Sequence, residues 1–200
     1  MEKNVHLDLG CGSRARNPYS RDYLIGCDIV ELKQVEDLQN FEFISVDLTK
    51  TILPFETSTF DSISAFDFIE HVPRQAYDLN GKTWSPFINL MSEIHRILKP
   101  NGIFLASTPA YPRAEVFQDP THVNFITDKT HEYFCGSSPY AQRYGFIGSF
   151  DKLRVEWEPQ KNIYDKKSSA LKKWYRKNIE YKVFKGGITH LTWELKAIKI

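Results

Sequence analysis

The chain has 200 residues, 42% of them hydrophobic and 26% charged, with a formal net charge of +1: enough for one domain with its own core and no overall pull toward nucleic acid. Cys11, Cys27 and Cys135 form no C-x-x-C pair, which argues against a zinc site or disulfide framework and for thiols in a reducing compartment. No apolar run could span a bilayer and residues 1–5 do not read as a signal peptide, so a cytoplasmic protein without a membrane span is expected.

Residues 5–9 run apolar into Gly10-Cys11-Gly12-Ser13, the pattern of a buried parallel strand entering a tight ligand-binding turn. Glycines there let a ligand approach the backbone. Asp8, near the strand's carboxyl end, is expected to be neither fully buried nor idle, and to need a cationic ligand or a backbone amine as donor. Gly10-x-Gly12-x-x-Ala15, with Asp28 further on, also fits a relaxed dinucleotide fingerprint. That fingerprint wants a long helix opening at the turn. Here Pro18 follows, with no apolar helical period before Tyr23, so the first helix is short or missing.

Residues 23–29 and 41–47 read as second and third strands, ending near Asp28 and Asp47, and residues 60–66 as a fourth that leads into a short helix at 66–72. Acids at the carboxyl ends of three successive strands favour a ligand with several donors. Residues 84–98 form an amphipathic helix with Phe87, Leu90, Met91, Ile94, Ile97 and Leu98 on one stripe. Lys99-Pro100-Asn101-Gly102 stops it before a strand at 103–108. A loop follows at 109–127. Asp128 is placed to cap a short helix through Phe134, and a strand follows at 148–158. A basic helical stretch at 164–181, broken by Gly186-Gly187, leads to a last strand at 189–200.

Asp8-x-Gly10-x-Gly12 with the later acids, and the run Glu93-Ile94-His95-Arg96-Ile97-Leu98-Lys99-Pro100-Asn101-Gly102, resemble motifs of class I S-adenosylmethionine-dependent methyltransferases. The resemblance departs at Arg14, where many members carry a third glycine, and beyond Tyr111 it is only topological. It implies a single domain over residues 1–200: a Rossmann-like three-layer α/β sandwich whose seven-stranded, mostly parallel sheet has an antiparallel last strand. The implied cofactor is S-adenosyl-L-methionine. Asp8, Gly10, Cys11 and Gly12 would hold it at the first turn, Asp28 and Ile29 at the ribose, Asp47 and Leu48 at adenine, and Phe66 at the end of the fourth strand. The Asp119-Pro120-Thr121-His122 loop is similar to small methyltransferases associated with bacterial surface sugars, which points to a small-molecule or glycan acceptor and O-methylation. The alternatives are an NAD-dependent oxidoreductase, against which Asp8 and the broken first helix speak, and a non-catalytic S-adenosylmethionine binder.

Methyl transfer to oxygen needs a proton acceptor, and histidine serves near neutral pH. His122 is the first candidate base, although structural capping is equally readable there; Asp119 is its possible orienter and His71 the second candidate, although Glu70-His71 reads more readily as pocket wall. Asp119, His122 and His131 match no standard metal spacing, so no metal is expected. His6, His95 and His190 read as structural. Residues 161–185 hold nine lysines and arginines against two acids. Lys172, Lys173, Arg176 and Lys177 fall on one side of an α-helix, with Trp174 and Tyr175 turned toward the domain. On that reading the 160–187 insert and the 109–147 loop act as lid elements, and the insert presents charge to an anionic, phosphate-bearing acceptor.

Overall fold

The computed structural model describes residues 3–29, 40–49, 52–78, 80–165 and 167–199. In chain order its strands are β1 (Val5–Leu9), β2 (Tyr23–Asp28), β3 (Phe41–Ser45), β4 (Phe60–Phe66), β5 (Ala76–Tyr77), β6 (Thr83–Trp84), β7 (Leu98–Pro109), β8 (Phe150–Trp157) and β9 (His190–Ala197). β5 and β6 make a separate hairpin. The other seven form one sheet in the order β3-β2-β1-β4-β7-β9-β8. β9 runs antiparallel to both its neighbours, and the remaining pairs are parallel. This is the expected α/β sheet with its antiparallel last strand. Among the described residues, 10–22 carry no helix, as Pro18 requires.

The two faces of the sheet differ in chemistry. Leu7, Leu9, Ile63, Ala65, Phe104, Ala106, Trp193 and Leu195 bury one face. α1 (Pro86–Ile97) covers it with Phe87, Leu90, Met91, Ile94 and Ile97. Pro86 starts this helix, where its fixed φ and missing N–H carry no penalty. The helix ends at Ile97, earlier than expected, and Leu98 is already extended beside Phe60, so the Lys99–Gly102 turn lies within β7 as an irregularity. Glu93 and Arg96 pair bidentately at 2.7 and 2.8 Å. Glu93 accepts from the Leu53 amide and Arg96 donates to the Phe55 carbonyl, so the family-like run clamps the segment before β4 onto α1.

On the opposite face the strand alternation points His6, Asp8, Ser62 and Ser64 inward, all fully buried. Burial without partners would be costly, and these groups satisfy one another. The Ser64 hydroxyl donates to Asp8 at 2.5 Å, so His6 Nε2, 2.8 Å from Ser64 Oγ, is the donor there. His6 Nδ1 then accepts from Ser62 at 2.8 Å. The segment before β2 covers the row with Arg21, which donates to Ser62, and Tyr19, which donates to Glu194 at 2.6 Å. His6 is structural, as read.

The basic stretch corrects the sequence reading. It consists of α2 (Gln160–Tyr164), α3 (Ala170–Tyr175) and a π-helical continuation at Arg176–Phe184. Trp174 and Tyr175 point outward, 57% and 49% exposed. Arg176 is the buried residue, donating to Asn162 at 2.7 Å and Asp165 at 3.2 Å. Lys177 pairs with Glu156 and Glu158. The four-cation face therefore does not exist. Residues 130–134 form a 3₁₀ turn, and Thr127 rather than Asp128 accepts from the Lys129 amide at its start.

Candidate active site

The strand order reverses between β1 and β4, where an open α/β sheet splits to admit a ligand at its carboxyl ends. Gly10 and Gly12 lie there at φ +63° and +56°. A Cβ on Gly10 would meet the Phe68 ring at 2.5 Å, whereas one on Gly12 would meet nothing within 4 Å. Gly10 is thus needed by the fold, and Gly12 borders open space. The Gly12 amide donates to Asp28 at 2.9 Å, tying the turn to the end of β2.

Asp8 departs from expectation: it is fully buried, yet not idle. It accepts from Ser64 and, at 2.7 Å, from the Arg16 amide, the backbone donor allowed for from the sequence. Burial pushes its carboxyl up to about 7. Cys11 is buried beside it, and burial raises its thiol to about 12. Asp28 and Asp47 are half-buried. Asp47 accepts from the Thr49 amide and hydroxyl, Leu48 is buried, and Ile29 is 66% exposed.

Phe66 ends β4 as a buried ring, with the Arg16 guanidinium 4.9 Å above it and Tyr164 of α2 edge-on at 6.1 Å. Among the described residues, Arg16 meets these rings but no hydrogen-bond acceptor for its guanidinium. Asp67, at φ +51°, accepts from Gln160 and from His190, each at 2.8 Å. Burial is the largest single influence and works to raise its carboxyl, but the bond and charge of His190, the Gln160 bond and the nearby Arg16 charge together outweigh it, and the net position is lowered. A cavity of about 430 Å³ lined by Arg14, Arg16, Lys161, Tyr164 and Asp165 adjoins the glycine turn and is large enough for a small ligand. Arg16, Asp67, Tyr164 and His190 were not picked out from the sequence, because their partners lie far along the chain.

The chain leaves β4 through a 3₁₀ turn, Ile69–His71. The Glu70 carbonyl accepts from the Val123 and Asn124 amides, both at 2.9 Å, which staples the Asp119 loop to this turn. His71 and His122 therefore meet, their rings 4.8 Å apart and edge-on. His71 Nδ1 lies 3.0 Å from Thr121 Oγ1, which donates to Asp119 at 2.6 Å. Asp119 thus orients His71 through Thr121, and His122 instead has Nδ1 2.9 Å from the Val116 carbonyl. The Thr121 hydroxyl and amide hold the exposed Asp119 carboxyl below its usual range. His131 lies elsewhere, buried against Trp193, so Asp119, His122 and His131 make no set. Glu70 joins the two histidines: it is fully buried, accepts from Thr108 at 2.8 Å, and burial raises its carboxyl to about 7.

Comparison with known proteins agrees with this architecture. The methyltransferase domain family matches residues 7–106, and the chain belongs to that family. It is an S-adenosylmethionine-dependent methyltransferase by family and fold. A chain from the complex of the Haloferax volcanii Trm112 methyltransferase activator and its methyltransferase is similar at TM-score 0.60 and 14% identity, over 99% of this chain and 84% of that one. A methyltransferase from Archaeoglobus fulgidus is similar at 0.53 and 17%, over 98% and 86%. The [4+2]-cyclase SpnF is similar at 0.55 and 15%, over 98% and 74%. No curated protein matches. Among the described residues no helix is long and apolar enough to cross a membrane. The first turn leaves room for the cofactor: Gly12 borders open space, and its amide holds the half-buried Asp28 at the end of β2.

Proposed function

We propose that this enzyme methylates a hydroxyl of a small-molecule or sugar acceptor, and that an anionic, phosphate-bearing acceptor suits it best. The observation that carries the reading is the junction of an open glycine turn with the His71–His122 pair through one short stretch at the end of β4. S-adenosylmethionine, when bound, supplies an electrophilic methyl on a sulfonium centre. Asp28 accepts from the ribose diol beside Ile29, and Asp47 from the adenine amine, with Leu48 under the ring. Gly10, Cys11 and Gly12 shape the turn, and Asp8 holds it in place through the Arg16 amide. The Arg16 guanidinium takes the amino-acid carboxylate, and Phe66 walls the crevice beneath it. His122, with His71 behind it, takes the acceptor's proton, and Asp119 fixes His71. Arg14 and Lys161 line the adjoining cavity and favour an anionic acceptor. The 109–147 loop and the 160–187 insert close over the crevice as lid elements.

Calorimetry with S-adenosylhomocysteine tests the donor half, and turnover of hydroxylated metabolites and sugar phosphates with labelled donor tests the rest. Asp28→Ala is expected to weaken S-adenosylhomocysteine binding by about 1–3 kcal/mol. His122→Ala is expected to cost roughly 10²–10⁴ in turnover at unchanged donor affinity. A fully active His122→Ala enzyme removes the base assignment, and binding of NAD in place of S-adenosylhomocysteine removes the reading.

A further inference from the structure

We infer that Glu70, His71 and His122 form a binding site for one divalent cation of the manganese-to-zinc series at the acceptor end of the crevice. One ligand atom from each of the three lies within 4.8 Å of the others. The hydrogen bonds around them decide which atoms remain open. The Thr121 hydroxyl gives its only proton to Asp119, so it can only accept from His71, and His71 Nδ1 must carry the proton. The Val116 carbonyl is an acceptor, so His122 Nδ1 also carries its proton. Both rings are therefore held in the tautomer with the lone pair on Nε2, and neither Nε2 has a hydrogen-bond partner among the described residues. Glu70 uses Oε2 on Thr108, and its buried Oε1 has no partner.

Three open acceptors thus converge, with no other side chain donating to them among the described residues. Glu70 Oε1 is the buried one, and an unsatisfied buried acceptor is costly, whereas the two half-buried rings turn their Nε2 lone pairs to the same point from the solvent side. A cation gives the buried oxygen its partner and takes the two ring lone pairs with it. Two imidazoles and one carboxylate form a donor set typical of catalytic zinc and non-haem iron sites, with positions left over for a substrate oxygen. The outer shell is of the right kind too: each ligating ring donates its other N–H, one to a carbonyl and one through a hydroxyl to a carboxylate. The inference rests on reading this cluster as the acceptor end. It changes the role of the histidines there, since a bound cation occupies the Nε2 lone pairs and holds the acceptor oxygen itself.

The test is equilibrium dialysis of the tag-free, EDTA-stripped chain against Mn²⁺ and, separately, Zn²⁺, with S-adenosylhomocysteine binding measured alongside. One equivalent of at least one of the two ions per chain is expected. The double variant His71→Ala/His122→Ala is expected to abolish it at unchanged S-adenosylhomocysteine affinity. Thr121→Val keeps all three ligands but removes the hydroxyl that orients His71, and is expected to weaken the cation by about 10–100-fold. Retained S-adenosylhomocysteine binding shows that either variant is folded. Cation uptake no greater than that of the double variant overturns the inference, as does unchanged affinity in Thr121→Val. Methyl transfer by stripped protein that takes up neither ion overturns the cation site and leaves the methyl-transfer reading standing. Stoichiometric uptake without transfer to any acceptor supports the site and removes that reading instead.

Discussion

Asp8 and the two glycines after it have separable roles. The buried Asp8 carboxyl keeps its proton up to about pH 7, whereas in the unfolded chain its pKa is near 3.8. As pH rises between those values the unfolded state releases a proton that the folded state retains, so Asp8 withdraws stability as pH rises and its effect levels off above about 7. His95 and His131, lowered by burial, act in the opposite direction, so the difference between wild type and Asp8→Asn isolates the effect. Thermal melts across this range are expected to show Asp8→Asn gaining on wild type as pH increases. Gly10→Ala must displace Phe68 as well as adopt a left-handed backbone, and denaturant titration is expected to show a loss above the ~1–2 kcal/mol of the backbone alone. Gly12→Ala carries only that backbone cost, but its methyl enters the open space, so the larger loss is expected in S-adenosylhomocysteine affinity. The glycines and Asp8 were legible as a ligand turn. The Arg16 donor was not, because residues 13–22 have no periodicity from which to place it, and the Ser64 donor was not, because it reaches Asp8 only through the long-range pairing of β1 with β4.

At the scale of elements, whatever carries a period was legible. β1, β2 and β4 follow from their apolar runs and the α1 stripe from helical spacing; α1 differs from the expected 84–98 at both ends, because Trp84 pairs in β6 and Leu98 already belongs to β7. The basic insert failed for a physical reason. A face of cations counted at 3.6 residues per turn loses its phase where the chain passes into a π-helix, as it does at Arg176. A run of lysines also carries no apolar signal to say which side is inward. Arg176 now belongs to packing rather than steering. Arg176→Ala leaves Asn162 Oδ1 without its donor and removes the ion pair to Asp165, which keeps its Ser168 donors; it is expected to cost about 1–3 kcal/mol in denaturant titration, and Arg176→Lys recovers only part of it because the planar fork is lost. Lys172 and Lys173 are the insert cations to test for steering. Their reversal to Glu is expected to leave acceptor KM unchanged, because Arg14 and Lys161 line the cavity and attract the acceptor; a raised KM would return the steering role to Lys172 and Lys173.

Across the whole molecule, the site draws on β1, β4, the 69–71 turn, the 119–122 loop, α2 and the start of β9. The sequence offered those parts singly, and only tertiary pairing brings His71 to His122 or His190 to Asp67. His190, read as structural, in fact borders the crevice. Saturating S-adenosylhomocysteine at about 100 times its Kd is expected to add about 2.7 kcal/mol of stability, because the glycine turn it contacts forms only in the folded chain. The sheet order has a further consequence for how the chain is made. β9 lies between β7 and β8, so β8 has no partner in the sheet until β9 has been synthesised. On the ribosome β1 to β4 and β7 can pair as they emerge, while β8 and the insert after it wait as a long unpaired arm with a free strand edge. A nascent chain stalled after α3 therefore carries an incomplete sheet, and its exposed edges are where a holding chaperone, or a second stalled chain, would attach.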